Sequence, residues 1–167
     1  MDIEISMVTR EQKEILAHLL ELYQYDFSEY DGMDVNPCGL YGYSYLEYYW
    51  TEKNRFAYFI KVDGRLAGFA MVCGHCYVSK KKDTLFMSEF FVMKKYRKQG
   101  VGKRAACEVL KLHPGRWELT IHPNNQGAHA FWKKVTDSAA AGEAKVVTGV
   151  RGVYEDRLAT AYLFDIA

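Results

Sequence analysis

Between Val92 and Lys103 the chain reads Val92-Met93-Lys94-Lys95-Tyr96-Arg97-Lys98-Gln99-Gly100-Val101-Gly102-Lys103, a run of cations broken by two glycines. N–H groups at the start of a helix lack partners within it, carry partial positive charge and attract phosphate oxygens. A glycine there lets the backbone approach an anion with no Cβ in the way. The chemistry this spacing offers is the holding of a phosphate or diphosphate. Two well-known phosphate loops fit it badly. The nucleotide triphosphatase loop needs a Ser or Thr after its Gly-Lys and a glycine five residues earlier, whereas Gly102-Lys103 is followed by Arg104 and preceded at that distance by Arg97. A dinucleotide loop starts directly at the end of its strand and is followed by a strand closed by an acid, but the next strand here ends in Ile121-His122.

Such a loop needs a strand before it and a helix after it, and both are legible. Residues 85–93 read as a strand, and Val101, Ala105, Val109 and Leu112 recur on one helical face until His113-Pro114-Gly115 stops it. Residues 117–121 form a short strand, after which Asn124 or Asn125 can cap a helix carrying Ala128, Phe131, Trp132 and Val135. Upstream, Asp63-Gly64 between β-rich runs predicts a tight hairpin of Phe56–Val62 with residues 65–72. At the start, Ile3, Ile5 and Met7 alternate as a strand, and Thr9-Arg10-Glu11-Gln12 has the spacing of a capping box. The helix it opens has Ile15, Leu16, Leu19, Leu22 and Tyr23 on its core face. Residues 25–49 are rich in Tyr and acids and broken by turn signals before a helix near 45–50, and strands near 145–150 and 158–164 finish the chain. The expected class is α+β, with a mixed and mostly antiparallel sheet flanked by helices.

With 167 residues, 49% of them hydrophobic, the chain can bury one core, so one domain spanning 1–167 is expected. Its beginning lacks the basic head and apolar run of a secretion signal, and no apolar stretch approaches the roughly 20 residues of a membrane span. A cytoplasmic location with no membrane partner follows. The four cysteines are expected to be free thiols. Cys73-Gly74-His75-Cys76 suggests a metal, but residues three apart on a strand point to opposite faces and no second pair stands at ligand spacing, so no metal is expected. A net charge of +1 conceals an acidic stretch from Glu21 to Glu52 and a basic window around Arg97. That window coincides with the phosphate loop, which makes nucleic acid an unneeded partner. His113, His122 and His129 read as packing or surface residues.

Arg97-Lys98-Gln99-Gly100-Val101-Gly102 resembles the Arg/Gln-x-x-Gly-x-Gly/Ala loop of the GNAT N-acetyltransferase superfamily, and Glu89-Phe90-Phe91-Val92 resembles the strand before it. Asn125-Gln126-Gly127-Ala128-His129-Ala130-Phe131-Trp132-Lys133-Lys134 is similar to the family's second signature, Asn-x-x-Ala-x-x-Phe-Tyr-x-Lys. The resemblance implies a splayed sheet whose strands 85–93 and 117–121 part around the pantetheine arm of acetyl-CoA. It also implies that backbone N–H groups near Phe91, Val92 and Met93 polarise the thioester carbonyl, that Arg97, Lys98, Gln99, Gly100, Val101, Gly102 and Lys103 hold the pyrophosphate, and that Asn125 and Phe131 border the cofactor.

An alkyl amine with pKa near 10.4 needs about 4 to 5 kcal/mol to lose its proton at neutral pH, while a thiol with pKa near 8.5 leaves more readily, so a base matters more than an acid. Glu89, a carboxylate in the middle of an apolar strand, is the candidate base. The sequence departs from the family at Trp132, where a Tyr often reprotonates the thiolate; an indole N–H cannot, which leaves water, another Tyr such as Tyr162, or no protein group. Asp26, Glu29, Asp31 and Asp34 are candidates for attracting a cationic acceptor, a small molecule or peptide amine. The expected activity is acetyl transfer from acetyl-CoA to a primary amine by direct attack. A non-catalytic acyl-CoA-binding or sensor module and a dinucleotide-binding protein stay open, as does a homodimer.

Overall fold

The computed structural model describes residues 1–167. One seven-stranded sheet runs through it, built from β1 (Ile3–Met7), β2 (Phe56–Val62), β3 (Arg65–Cys73), β4 (Leu85–Val92), β5 (Gly115–Ile121), β6 (Lys145–Tyr154) and β7 (Arg157–Ile166), in the order β1-β2-β3-β4-β5-β7-β6. Every neighbouring pair is antiparallel except β4 and β5. The mostly antiparallel α+β class read from the sequence is the class found. Four helices join the strands: α1 (Lys13–Asp31), α2 (Tyr48–Thr51), α3 (Val101–Lys111) and α4 (Gln126–Ala139).

Local signals explain most of the strand connections. Asp63 and Gly64 both adopt positive φ, 48° and 77°, as the two central positions of the tight β2–β3 hairpin require. The Gln12 side chain accepts from the Thr9 N–H at 3.0 Å, closing the predicted box at the entry to α1.

That helix runs further than its apolar stripe suggests. No breaker intervenes until Gly32, whose φ of 69° ends the helix with its N–H on the Ser28 carbonyl, so Asp26, Glu29 and Asp31 stand on a helix rather than in a loop. Its core face is Leu16, Leu19, Leu20 and the half-buried Tyr23, while Ile15 and Leu22 point to solvent. Leu112, assigned to the apolar face of α3, lies past its end and is exposed. The predicted helix near 45–50 shortens to one turn at Tyr48–Thr51.

The sheet separates two cores. One face packs Phe59, Phe69, Met71 and Phe91 against α1 and α2. The other packs Ala70, Val72, Met87, Trp117, Leu119 and Ile121 against α3 and α4. Gly68 permits close approach between β3 and β4, since a Cβ there would lie 1.9 Å from the Phe91 carbonyl oxygen.

Candidate active site

The parallel pair β4 and β5 holds together for two rungs, Leu85 with Trp117 and Phe86 with Glu118, and then parts. A register shift against β3 leaves Ser88 as an extra residue in β4 immediately beyond those rungs, and a bulge of this kind bends and twists a strand. Ser88 is held there by its hydroxyl, which donates to the Met71 carbonyl at 2.9 Å and meets the Tyr49 hydroxyl at 2.7 Å.

Strand alternation decides which backbone groups face the gap. The Met93 N–H donates to the Ala67 carbonyl at 2.8 Å, so residues of the same parity, Phe91 and Glu89, turn their amides toward β3. Phe90 and Val92 then turn theirs toward the opening. The Val92 carbonyl is taken by Arg97 Nε at 2.6 Å, which leaves the N–H groups of Phe90 and Val92 on that edge. Of the three amides named from sequence, Val92 is therefore the one aimed into the gap; Met93 is already engaged, and Phe91 faces its sheet neighbour.

Below the gap, the glycine loop opens α3 as expected. Lys98 (φ 60°) and Gly100 (φ 81°) both take left-handed conformations, Gly100 caps the helix, and Val101 begins it. Lys98 is a non-glycine residue in a conformation that costs energy, which is common where a loop is shaped for a ligand. The N–H groups of the first turn, including Val101, Gly102 and Lys103, have no carbonyl one turn earlier to bond. A Cβ on Gly102 would come within 3.1 Å of the Phe131 ring, so the glycine lets that ring close over the helix start. Phe131 stacks on Phe90 at 5.6 Å and touches Trp132 at 4.9 Å, forming an aromatic floor on the α3–α4 side. Asn125 caps α4 by accepting from the Ala128 N–H at 3.1 Å, which leaves its amide N–H groups to donate.

Two side chains of the loop bond to the protein itself. Arg97 reaches Asp26 on α1 at 2.6 Å as well as the Val92 carbonyl, and Gln99 donates to the Lys95 carbonyl at 2.8 Å. Arg97 thus braces the helix start against β4 and α1, and Asp26, with Lys94 also at 3.6 Å, has its charge matched inside the molecule. Glu29, Asp31 and Asp34 remain exposed near the C-terminal end of α1, Asp31 accepting from the Met33 N–H at 2.9 Å.

Glu89 lies on the opposite face of the sheet from Phe131, half-buried beneath α1. The Tyr43 hydroxyl donates to it at 3.3 Å and the Tyr23 hydroxyl faces it as well. Burial pushes its pKa up to about 7, against the opposing pull of those two phenols. Burial likewise raises Tyr23 and Tyr43, more strongly because the carboxylate stands beside them. Across the gap, Tyr154 at the end of β6 packs on His122 (4.6 Å) and Phe27 (6.2 Å), with Thr120 beside its hydroxyl; burial pushes its pKa up to about 12. His122, itself buried, accepts from the Asn124 N–H at 3.1 Å and is held toward its neutral form by burial.

Sequence reasoning missed Tyr23, Tyr43 and Tyr154 as neighbours of Glu89, because only the fold brings four separate segments together. It also missed Glu118, although a lone acid within the apolar run Trp117-Glu118-Leu119-Thr120-Ile121 is the same signal that singled out Glu89. Tyr162 is buried in the core beneath α3 and α4 rather than at the cleft. His113 is a packing residue, its ring hydrogen-bonded to the Tyr58 hydroxyl at 2.7 Å. All four cysteines are free, and no cluster of three or more His, Cys, Asp or Glu side chains stands where it could hold a metal. No helix is long and apolar enough to cross a membrane.

Solved structures of acetyltransferases superpose along nearly the whole chain and share this fold. An acetyltransferase from Thermus thermophilus aligns with a TM-score of 0.71 at 15% identity, covering 99% of this chain and 98% of that one. The aminoglycoside acetyltransferase AAC(6')-Ib, solved in complex with coenzyme A, aligns at 0.68 and 13% identity over 98% and 95%. NAA60 of Arabidopsis thaliana, solved with acetyl-CoA, aligns at 0.59 and 16% over 98% and 97%. No curated protein matches the sequence. The acetyltransferase (GNAT) family profile matches residues 16–136, and the chain belongs to that family, whose cosubstrate is acetyl-CoA.

Proposed function

We propose that this chain transfers the acetyl group of acetyl-CoA directly to the primary amine of a small, cationic acceptor, with Glu89 as the base. The observation that carries this reading is the placement of Glu89, a half-buried carboxylate beside the gap on the sheet face away from α3 and α4, held by the Tyr43 hydroxyl at 3.3 Å and with its pKa pushed by burial up to about 7. An ordinary glutamate is a poor base toward an ammonium of pKa near 10.4; raising it to about 7 removes roughly 3 kcal/mol of the uphill proton transfer.

In this reading the amides from Gln99 through the first turn of α3 to Lys103, and the Lys98 and Lys103 ammonium groups, hold the pyrophosphate, while the Phe90 and Val92 N–H groups stabilise the oxyanion as the amine attacks. Asn125 donates to the pantetheine amide from the α4 side and Phe131 walls the arm. The amine enters from the face lined by Tyr23, Tyr43 and Tyr154 and gives its proton to Glu89 directly or through a water. The thiolate, with a pKa near 8.5, leaves with no protein acid assigned to it.

Glu29, Asp31 and Asp34, exposed at the end of α1, draw a cationic small molecule or peptide amine toward that entrance. The chain works as a single cytoplasmic domain without a metal. The direct test is thiol release from acetyl-CoA over a panel of amines matched in size and differing in charge. Amine-dependent release that favours cations supports the reading, and equal turnover of neutral and cationic amines removes the acidic entrance from it. Trp132 in place of the family's tyrosine favours a second reading, an acyl-CoA sensor; acetyl-CoA-dependent thermal stabilisation with no amine-dependent thiol would establish it.

A further inference from the structure

Glu118 is the only fully buried carboxylate in the chain, at 0% exposure, and the acetyl-transfer chemistry does not use it. Its Oε2 accepts from the Tyr77 N–H at 2.6 Å, its Oε1 from the Ser79 N–H at 2.8 Å, and the Val78 N–H lies 3.1 and 3.3 Å from the two oxygens. Three consecutive amides converge on one carboxylate, as they would on a bound anion, so the charge is satisfied by backbone dipoles. The segment so held, residues 74–84 between β3 and β4, is closed at its base by Ser79 Oγ with Thr84 Oγ1 at 2.7 Å and by the Cys76 thiol on the Thr84 carbonyl at 3.6 Å.

The location of this clasp gives it a consequence for the reaction. Glu118 pairs with Phe86 in the last rung before β4 and β5 separate, and the Tyr77 ring packs edge-on against Phe86 at 5.5 Å. Tyr77 is on the Glu89 side of the sheet, where its phenol feels the charge of Glu89, and it keeps 43% of its surface exposed. A side chain whose backbone is fixed while its ring stays open to solvent is suited to meeting a ligand. We infer that Glu118 is a positioning residue for the acceptor: by clasping the amides of Tyr77, Val78 and Ser79 it fixes residues 74–84 as a wall of the amine entrance and presents Tyr77 to the substrate. This rests on the proposal that the amine enters on the Glu89 face.

Glu118→Gln tests it at nearly constant volume, because an amide offers one acceptor oxygen where the carboxylate offers two and turns an NH2 toward backbone donors. The expected result is a rise of about tenfold in KM for the amine, with KM for acetyl-CoA and the pH dependence of kcat unchanged, and faster hydrogen exchange at the amides of Tyr77, Val78 and Ser79. Tyr77→Ala, at a half-open position, is expected to raise the amine KM to the same extent, and the double variant no further. A folded Glu118→Gln protein with wild-type amine KM overturns the inference, as does a rise in the acetyl-CoA KM instead. If that variant does not fold, an unchanged amine KM in Tyr77→Ala overturns it alone. Loss of the Glu89 role is read separately, from full turnover in Glu89→Gln, and would leave the Glu118 result standing.

Discussion

A carboxylate ringed by phenols is a base only if its surroundings stop short of keeping it protonated, and Glu89 sits at that balance. Burial raises it to about 7 while Tyr23 and Tyr43 pull it down. The base must be ionised to act, so kcat/KM is expected to fall on the acid side with an apparent pKa near 7, and Glu89→Gln is expected to lose that limb together with about 10²-fold or more of the rate. A pH–rate profile of both proteins with one amine checks this; a Gln variant that keeps full turnover at every pH removes Glu89 from the mechanism. The same shift predicts a stability effect of opposite sign. A carboxyl whose folded pKa exceeds its unfolded value near 4.3 binds its proton more tightly in the native state, so its contribution is complete below that value and is lost as pH rises through about 7. Thermal melts of Glu89→Gln should therefore match wild type near pH 4 and exceed it above pH 7, stability gained where activity is lost.

At the scale of elements, the site depends on how β4 is held, on one side by β3 and at its end by Arg97. Gly68 is the tightest point of that hold. An alanine Cβ would meet the Phe91 carbonyl oxygen at 1.9 Å, a clash with backbone that no rotamer relieves, so Gly68→Ala is expected to cost about 3 kcal/mol or more and to show in denaturant melts as a lowered midpoint. Arg97→Lys should keep the fold and lose the brace, because one ammonium cannot reproduce the guanidinium's paired contacts with Val92 O and Asp26; a several-fold rise in the acetyl-CoA KM measured by thiol release is the expected reading. These elements differ in how far sequence could reveal them. The glycine loop, the Asp63-Gly64 hairpin and both helices after β4 were legible because each follows from local backbone chemistry: φ sign, caps and helical spacing. The brace was not, since Arg97 reads locally as a phosphate ligand and Asp26 as a substrate attractor, and only the packing of α1 against β4 makes them each other's partners. The tyrosines around Glu89 were hidden for the same reason, arriving from α1, the segment before α2 and the end of β6.

Viewed as a whole molecule, the chain is a sheet in two parts, β1 to β4 and β5 with β7 and β6, joined edge to edge by two rungs, by the core beneath α3 and α4, by the Glu118 clasp on residues 77–79 and by Phe27 packed on His122 and Tyr154. Its acidic and basic poles meet on one side of this division, the Asp26 pairs with Lys94 and Arg97 tying α1 to the segment between β4 and α3. A ligand that fills the gap adds a further link between the parts, so acetyl-CoA should stabilise the entire fold rather than the loop alone. At a hundred times its Kd the gain is expected to be about 2.7 kcal/mol, read as an upward shift of the melting temperature. Hydrogen exchange then locates the link. The amides of Phe90 and Val92, which face the gap, should slow markedly on binding along with those of Val101 and Gly102, while Met93, already bonded to Ala67, should change least. Protection at the helix start with none at Phe90 and Val92 would mean that the diphosphate is held where the glycines put it but that the thioester carbonyl lies away from β4, and the oxyanion donors would have to be sought on the β5 side.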